Sequence, residues 1–330
     1  MKISYSPYTL KPTQNLATIS NMSERKGVLL KIEWLDGLTG YSDLHPWSEL
    51  GDQTWEQQLA DMRTGQISQM LEQSIWMARR DAQARQQNKS LFDGLPTVKN
   101  NYLITDVRVE KPDILNYLKK EGFETIKIKL GRDLQKEAEF VSGLGLDGAF
   151  KLRLDFNALG TWQTYERFMK NLNKVALTRV QYVEDPFPFD EQLWLEAKKF
   201  APLAIDNEFQ KVDLKKLKTK PFDVVILKPA KMDVSSTLQA CVMHDLKITV
   251  TSYMDHPVGV MHALAVACEL KKGNPQRVLD AGCLTMPLFQ MDSYSAMVVQ
   301  AGPYLKRADT RGVGFSLLFL REPWNQLKTR

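Results

Sequence analysis

The chain predicts an α/β fold in which a parallel (β/α) barrel carries a smaller α+β capping domain at its amino terminus. Three observations lead there. From about residue 101, short apolar strands alternate with amphipathic helices at the spacing of βα units. The first hundred residues instead run strands first and helices afterwards. Five consecutive strands of the second part end in a charged residue. The length of 330 residues suits a barrel of roughly 250 residues with a second unit beside it.

In the amino-terminal part, residues 1–10 and 27–35 (GVLLKIEWL) read as antiparallel strands joined through a polar segment at 20–26. A turn-rich stretch over 37–51 holds His45, Pro46 and Trp47. From 54 to 87 the spacing of Leu59, Met62, Ile67, Met70, Leu71, Ile75 and Met77 suits helices, and these residues with the tryptophans form the core of the cap. The barrel strands expected are 101–106, 124–130, 151–157, 179–185, 202–207, 223–229, 247–253 and a weaker one at 279–285. Asp113, Asp190 and Asp233 stand where helix N-caps belong, and Gly122 where a helix ends. Repeated βα units imply parallel strands with right-handed crossovers. No Gly-x-Gly-x-x-Gly turn follows the first strand, which removes the main sign of a dinucleotide-binding sheet. The expected division is a cap of residues 1–100, a catalytic barrel of 101–302, and a tail of 303–330 that packs back on the cap.

Composition excludes several classes. Hydrophobic residues make up 43% and charged residues 25%, the balance of an ordinary globular protein. The net charge of +5 comes without any cluster of five or six basic residues, so a nucleic-acid partner is set aside. The first residues lack the apolar core of a signal peptide and no run of about eighteen apolar residues occurs, so a cytoplasmic location with no membrane partner is expected. Cys241, Cys268 and Cys283 are odd in number and widely spaced, as buried reduced thiols are. Oligomeric state is not legible.

The strand ends carry the chemistry. Lys129, Asp155, Glu184, Asp206 and Lys228 follow one another at intervals of 26, 29, 22 and 22 residues, about one βα unit each. In a parallel barrel all such ends face one mouth. Ile126, Ile128 and Leu130 alternate with Lys127 and Lys129, and Leu152, Leu154 and Phe156 with Arg153, Asp155 and Asn157. The apolar set must face the helices, which turns the polar set into the barrel. Three converging carboxylates without matching arginines call for a cation, and all-oxygen donors suit Mg²⁺ or Mn²⁺. Such a cation can stabilise the enediolate formed when the proton beside a carboxylate is removed. The base can be a lysine of lowered pKa, and Lys127 beside Lys129 disfavours the charge on Lys129.

The bland readings are a solvated lysine pair and a strand-ending Asp-Pro turn at 185–186. Both sit poorly with the common register of all five positions. His256 is the one histidine that tempts as an acid or base, although lone histidines are more often structural; His45, His244 and His262 tempt less. Arg25 and Lys26, read as loop residues of the cap, could close over an anionic substrate.

At these residues the chain resembles the enolase superfamily, in its Lys-x-Lys (muconate lactonizing) branch. The matching stretches are 125–131 (TIKIKLG), 153–157 (RLDFN), 183–186 (VEDP), 204–208 (AIDNE) and 226–229 (ILKP), and the cap matches over 40–59. The resemblance implies a modified (β/α)7β barrel of the TIM type. It implies Asp155, Glu184 and Asp206 as Mg²⁺ ligands, Lys129 as general base tuned by Lys127, and Lys228 on the opposite face of the substrate. Within the branch the chain is most similar to the o-succinylbenzoate synthases of menaquinone biosynthesis, which dehydrate 2-succinyl-6-hydroxy-2,4-cyclohexadiene-1-carboxylate. That implies a small anionic carboxylate substrate, contacted by Arg153, Asn157, Ser252 and Arg25. Asn207 stands between Asp206 and Glu208, and the strand register favours Asp206 as the ligand. The segment 253–257 carries Asp255, His256 and Pro257 where the family commonly has small hydroxyl residues. A dipeptide or N-acylamino acid epimerase is the alternative on the same lysines, and muconate cycloisomerisation a weaker one. Against the epimerase, 279–282 (LDAG) lacks the second acid of an Asp-x-Asp pair. A non-catalytic binding barrel is the alternative of another class.

Overall fold

The computed structural model describes residues 1–16, 24–110, 113–214, 216–307 and 310–327. Part of the polar segment expected at 20–26 therefore lies outside the described residues, as does the very end of the tail.

The amino-terminal unit is built on an antiparallel sheet of β1 (Lys2–Leu10), β2 (Arg25–Glu33) and β3 (Thr39–Leu44). β2 begins two residues earlier than expected, and Arg25 is therefore a strand residue paired with Leu10. Two helices follow, α1 (Trp55–Met62) and α2 (Gln69–Gln86), with Thr54 Oγ1 and Ser68 Oγ accepting the first free amides. Leu59, Met70, Leu71 and Ala78 bury against Val28, Leu30 and Ile32, whereas Ile67 is exposed rather than part of the core. At Gly40 the backbone of β3 approaches α2 so closely that a side chain would collide with the carbonyl of Ala78.

The second unit is a parallel sheet of β4 (Tyr102–Ile104), β5 (Thr125–Lys129), β6 (Lys151–Asp155), β7 (Val180–Glu184), β8 (Leu203–Ile205), β9 (Val224–Leu227) and β10 (Lys247–Val250), each paired with the next. The segment expected as an eighth strand is reduced to bridges. Leu279 and Gly282 donate to Ile248 and Val250 on one side, while Ala281 exchanges bonds with Lys99 and Asn101 on the other. Those bonds link β10 back to the chain leading into β4.

Helices α3 (Ile114–Lys120), α4 (Leu134–Asp147), α5 (Trp162–Asn171), α6 (Lys174–Arg179), α7 (Glu191–Ala197), α8 (Val234–Met243) and α9 (Pro257–Gly273) connect the strands. Asp190 and Asp233 cap α7 and α8 as expected, accepting from Leu193 and Ser236. Asp113 precedes α3 but makes no side-chain cap bond, which corrects that expectation. Ile126, Ile128, Leu152 and Leu154 are fully buried in the main core, on the face opposite the lysines.

The tail returns to the cap. Beyond β11 (Val298–Ala301), β12 (Tyr304–Arg307) and α10 (Ser316–Phe319), β13 (Asn325–Gln326) pairs with β1. The buried Asp81 of α2 joins three parts, accepting from Tyr41 N at 2.9 Å, Arg85 Nε at 2.6 Å and Val313 N at 2.6 Å. The cap core also includes Tyr253 and Met254, which lie just beyond β10, so the cap rests on the carboxyl end of the sheet. Among the described residues no helix is long and apolar enough to cross a membrane. All three cysteines are free and buried.

Candidate active site

Lys129, Asp155 and Glu184 are the last residues of β5, β6 and β7, and Asp206 and Lys228 follow β8 and β9 directly. The ladder pairs Lys129 with Asp155 and Asp155 with Glu184. All five ends thus meet at one mouth. A cavity opens there, lined by Lys127, Lys129, Asp155, Asp206 and Lys228 below and by Trp47 and Leu50 of the cap above. Glu184, 1% exposed, meets it through Lys127.

The charges are tightly paired. Lys127 Nζ lies 2.7 Å from the carboxylate of Glu184 and 2.9 Å from Asp155. Lys228 Nζ donates to Asp206 at 2.6 Å. Burial opposes the charge on Lys127, but Asp155 and Glu184 more than offset it and hold its pKa well above the usual value. Lys129 has no such clasp, and burial brings it down to about 8, Asp155 opposing and Lys127 assisting. The lowered lysine is thus the expected one, but burial is the larger cause and the neighbouring lysine the smaller. Burial also pushes Glu184 up to about 8, with the charge of Asp155 adding to it.

Asp185, buried at a positive φ of 41°, accepts from the amides of Asp206 at 3.0 Å and Asn207 at 2.8 Å and so fixes the turn that presents Asp206. Glu208 points elsewhere and accepts from Phe189 N at 3.0 Å. This arrangement supports Asp206 as the acid that faces the cavity.

Three carboxylates on adjoining strand ends, one of them raised by burial and by the charge of its neighbour, are donors of the kind a hard divalent cation takes. Among the described residues no three His, Cys, Asp or Glu side chains stand close enough to clasp an ion as placed. Lys127 lies between two of the carboxylates and Lys228 holds the third.

With this geometry in place, comparison with known proteins is decisive. Residues 3–84 match the model of the o-succinylbenzoate synthase N-terminal domain. Over all 330 residues the chain is 52% identical to an o-succinylbenzoate synthase of Bdellovibrio bacteriovorus, with 100% of both chains covered. The chain belongs to the o-succinylbenzoate synthase family. It is therefore an enzyme of the lyase class. An L-Ala-D/L-Glu epimerase of Francisella tularensis subsp. novicida is 27% identical over 138 residues, 39% of this chain and 38% of that one. Among solved structures, a dipeptide epimerase from Enterococcus faecalis V583 complexed with Mg and a dipeptide superposes with a TM-score of 0.75. It is 17% identical, covering 95% of this chain and 98% of the other. That likeness shows the fold alone.

Within this family frame, four expected substrate contacts divide into two pairs. Asn157 and Ser252 line the cavity; Asn157 takes a φ of 51° and its Nδ2 is buried without a partner, and Ser252 Oγ lies 2.8 Å from Thr285 Oγ1. Arg153 does not reach the cavity. It is fully buried within the barrel and donates to Gln181 Oε1, Asn101 Oδ1 and the Asp280 carbonyl at 2.8–2.9 Å. Arg25 does not line the cavity either; its guanidinium bonds at the junction of cap and barrel. It donates to the carbonyls of Tyr253 at 3.0 Å and Met254 at 3.3 Å, and more weakly to those of His45 and Pro46. Its planar face lies 4.0 Å over the ring of Trp47.

His256 is structural as well. Its Nδ1 accepts from Val258 N at 3.3 Å at the start of α9, its ring packs between Tyr8 and Tyr294, and burial lowers its pKa to about 4. Sequence reasoning missed Leu50, Asn101, Leu103 and Thr285 as lining residues, and placed Trp47 in the core when it serves both roles. No spacing pattern marks them: Leu50, Asn101 and Thr285 lie at irregular ends of elements, and Leu103 sits in a strand of only three residues.

Proposed function

We propose that the chain converts 2-succinyl-6-hydroxy-2,4-cyclohexadiene-1-carboxylate to o-succinylbenzoate and water, the step made by its full-length relative and one that serves menaquinone biosynthesis. Residues 1–100 act as the cap and 101–302 as the catalytic barrel, with the tail folded back on the cap. The observation that carries the reading is the pair Lys129 and Lys228 on one cavity, with Lys129 brought down to about 8 by burial. β5 and β9 are four places apart around the sheet, so the two lysines approach a bound ring from opposite sides.

Asp155, Glu184 and Asp206 would hold Mg²⁺, or Mn²⁺, as their oxygen-only donor set suits. When bound, that cation supplies positive charge to the substrate carboxylate as its α-carbon loses a proton. Neutral Lys129 takes that proton, breaking the C–H bond and leaving the electron pair in an enediolate. Lys228, paired with Asp206, faces the anion from the other side. The enediolate then expels the hydroxyl group, to which Lys129 returns its proton, so that water leaves and the ring becomes aromatic. Lys127 stays charged and keeps Asp155 and Glu184 in place. Asn157 and Ser252 are placed to meet polar groups of the substrate.

The epimerase reading uses the same two lysines as acid and base, but rests on a relative matched over less than half of either chain. Ultraviolet detection of o-succinylbenzoate tests the proposal, with Mg²⁺ or EDTA, on the wild type and Lys129→Ala. Cation-dependent turnover that disappears in the variant is expected. No turnover by the folded, Mg²⁺-supplied wild type sinks the synthase reading, and α-proton exchange in D₂O with dipeptides then tests the epimerase.

A further inference from the structure

The roof of the cavity is tied to its rim by a compact polar cluster that the chemistry above does not use. Trp47 and Leu50 of the cap line the cavity from a short turn over 47–52. That turn ends in Asp52, whose carboxylate is almost buried and has three donors. Oδ2 accepts from Trp47 N at 2.9 Å, which closes the turn on itself. The same oxygen accepts from the hydroxyl of Tyr253 at 2.9 Å. Oδ1 lies 2.8 Å from Nζ of Lys231, at side-chain exposures of 17% for the lysine and 12% for the aspartate.

Lys231 belongs to the turn after β9, three residues beyond Lys228, and Tyr253 to the segment after β10. Lys231 also donates to the Tyr253 hydroxyl at 3.2 Å, so the three side chains form a closed triangle. The ring of Tyr253 lines the cavity and lies 5.9 Å from the ring of Trp47. One cap carboxylate is therefore gripped by two barrel side chains that follow adjacent strands. A partly dehydrated charge pair of this kind is far less screened than a surface pair. The unusual residues noted at 253–257 thus begin with one that grips the cap.

We propose that Asp52, Lys231 and Tyr253 are positioning residues that hold the 47–52 turn down as the roof of the site, and so set how well substrate is retained rather than how fast it reacts. The inference rests on the function proposed above. Asp52 and Lys231 do not line the main cavity; they place Trp47 and Leu50, which do. Opening the roof adds a conformational cost to every binding event and leaves Lys129 and the three carboxylates where they are.

The test measures KM and kcat separately for Asp52→Asn, Lys231→Met, their double variant and the exchanged pair Asp52→Lys with Lys231→Asp. Each single change is expected to raise KM about five- to twentyfold with kcat within about twofold, the signature of lost uniform binding. The double variant should be no worse than the poorer single, and the exchanged pair should recover part of the loss. Tyr253→Phe, which removes only the hydroxyl, should raise KM by a smaller factor. Hydrogen exchange of the free protein gives a readout independent of turnover: the amides of 50–52 should exchange faster in Asp52→Asn while those of β2 do not. An unchanged KM in both single variants, a fall in kcat alone, or unaltered exchange over 50–52 overturns the proposal. If the wild type turns nothing over, the synthase reading fails by itself, and the exchange experiment still decides the clasp.

Discussion

Lys129 can serve as a base at neutral pH only because of where it is buried, and that makes its titration the sharpest test of the mechanism. An ordinary lysine, with a pKa near 10.4, is neutral in roughly one molecule in a thousand at pH 7.5. At the value of about 8 set by burial in the barrel mouth, roughly a quarter of molecules carry the neutral amine at that pH. The gain is about two hundredfold in reactive base, before any contribution from orientation. The direction follows directly: kcat/KM should rise about tenfold per pH unit below pH 7 and level off at or below about pH 8. A divalent cation beside Asp155 moves the break lower still, never higher. Lys129→Ala should lose about a hundred- to ten-thousandfold in kcat, since a positioned base contributes that much. Stopped-flow absorbance of product from pH 5.5 to 9.5 at saturating Mg²⁺ reads both quantities. A break above about pH 9, a flat profile, or an alanine variant within tenfold of wild type would refute the assignment of Lys129 as the base.

Four other perturbations follow from the same charges. Arg25→Met leaves the carbonyls of Tyr253 and Met254 without their donor, and urea unfolding should show a loss of about 2–4 kcal/mol; under about 1 kcal/mol would show that Arg25 does not hold the junction. Burial lifts Asp255 to about 6, so its contribution to stability is complete below about pH 4 and is lost as pH rises through 6; Asp255→Asn should gain of order 1–3 kcal/mol at pH 7.5 and none at pH 4, by thermal melts at both values. Lys127→Met leaves Asp155 and Glu184 facing each other and should cost about 3–5 kcal/mol, with Mg²⁺ raising the melting temperature of the variant more than that of the wild type. Calorimetry should find that o-succinylbenzoate and Mg²⁺ each tighten the binding of the other by the same factor, and independent binding would contradict a shared site.

The strand-end charges were legible in the sequence because a barrel strand forces a period of two. Once Ile126 and Ile128 face the helices, Lys127 and Lys129 have only the interior left to them. Depth along the barrel is not encoded in that period. Arg153 shares the polar face of Asp155 yet lies one pleat lower, where it bonds Asn101 and Asp280 instead of a ligand. Arg25 was misplaced for a different reason: β2 starts at Arg25, ahead of Gly27, and a strand end reads as loop when its apolar run begins later. The triangle of Asp52, Lys231 and Tyr253 could not be found by spacing at all. Asp52 and Tyr253 are 201 residues apart and meet only once the cap has docked on the barrel.

The ionised site groups come close to cancelling, and the near-balance explains how one barrel mouth tolerates so many. Asp155, Glu184 and Asp206 are offset by Lys127 and Lys228, while Lys129 is mostly neutral above its pKa of about 8. Above that pH one negative charge is left in excess; nearer neutral pH Glu184, also near 8, holds a proton and Lys129 most of its charge, so the balance is closer still. A divalent cation added to so balanced a mouth would make it positive and favour an anionic carboxylate. The lysine that most needs to lose its proton is the one without a carboxylate clasp, and Lys127, clasped by two carboxylates, keeps its charge. The division of labour between three lysines on one cavity thus follows from which of them has a carboxylate within hydrogen-bonding distance.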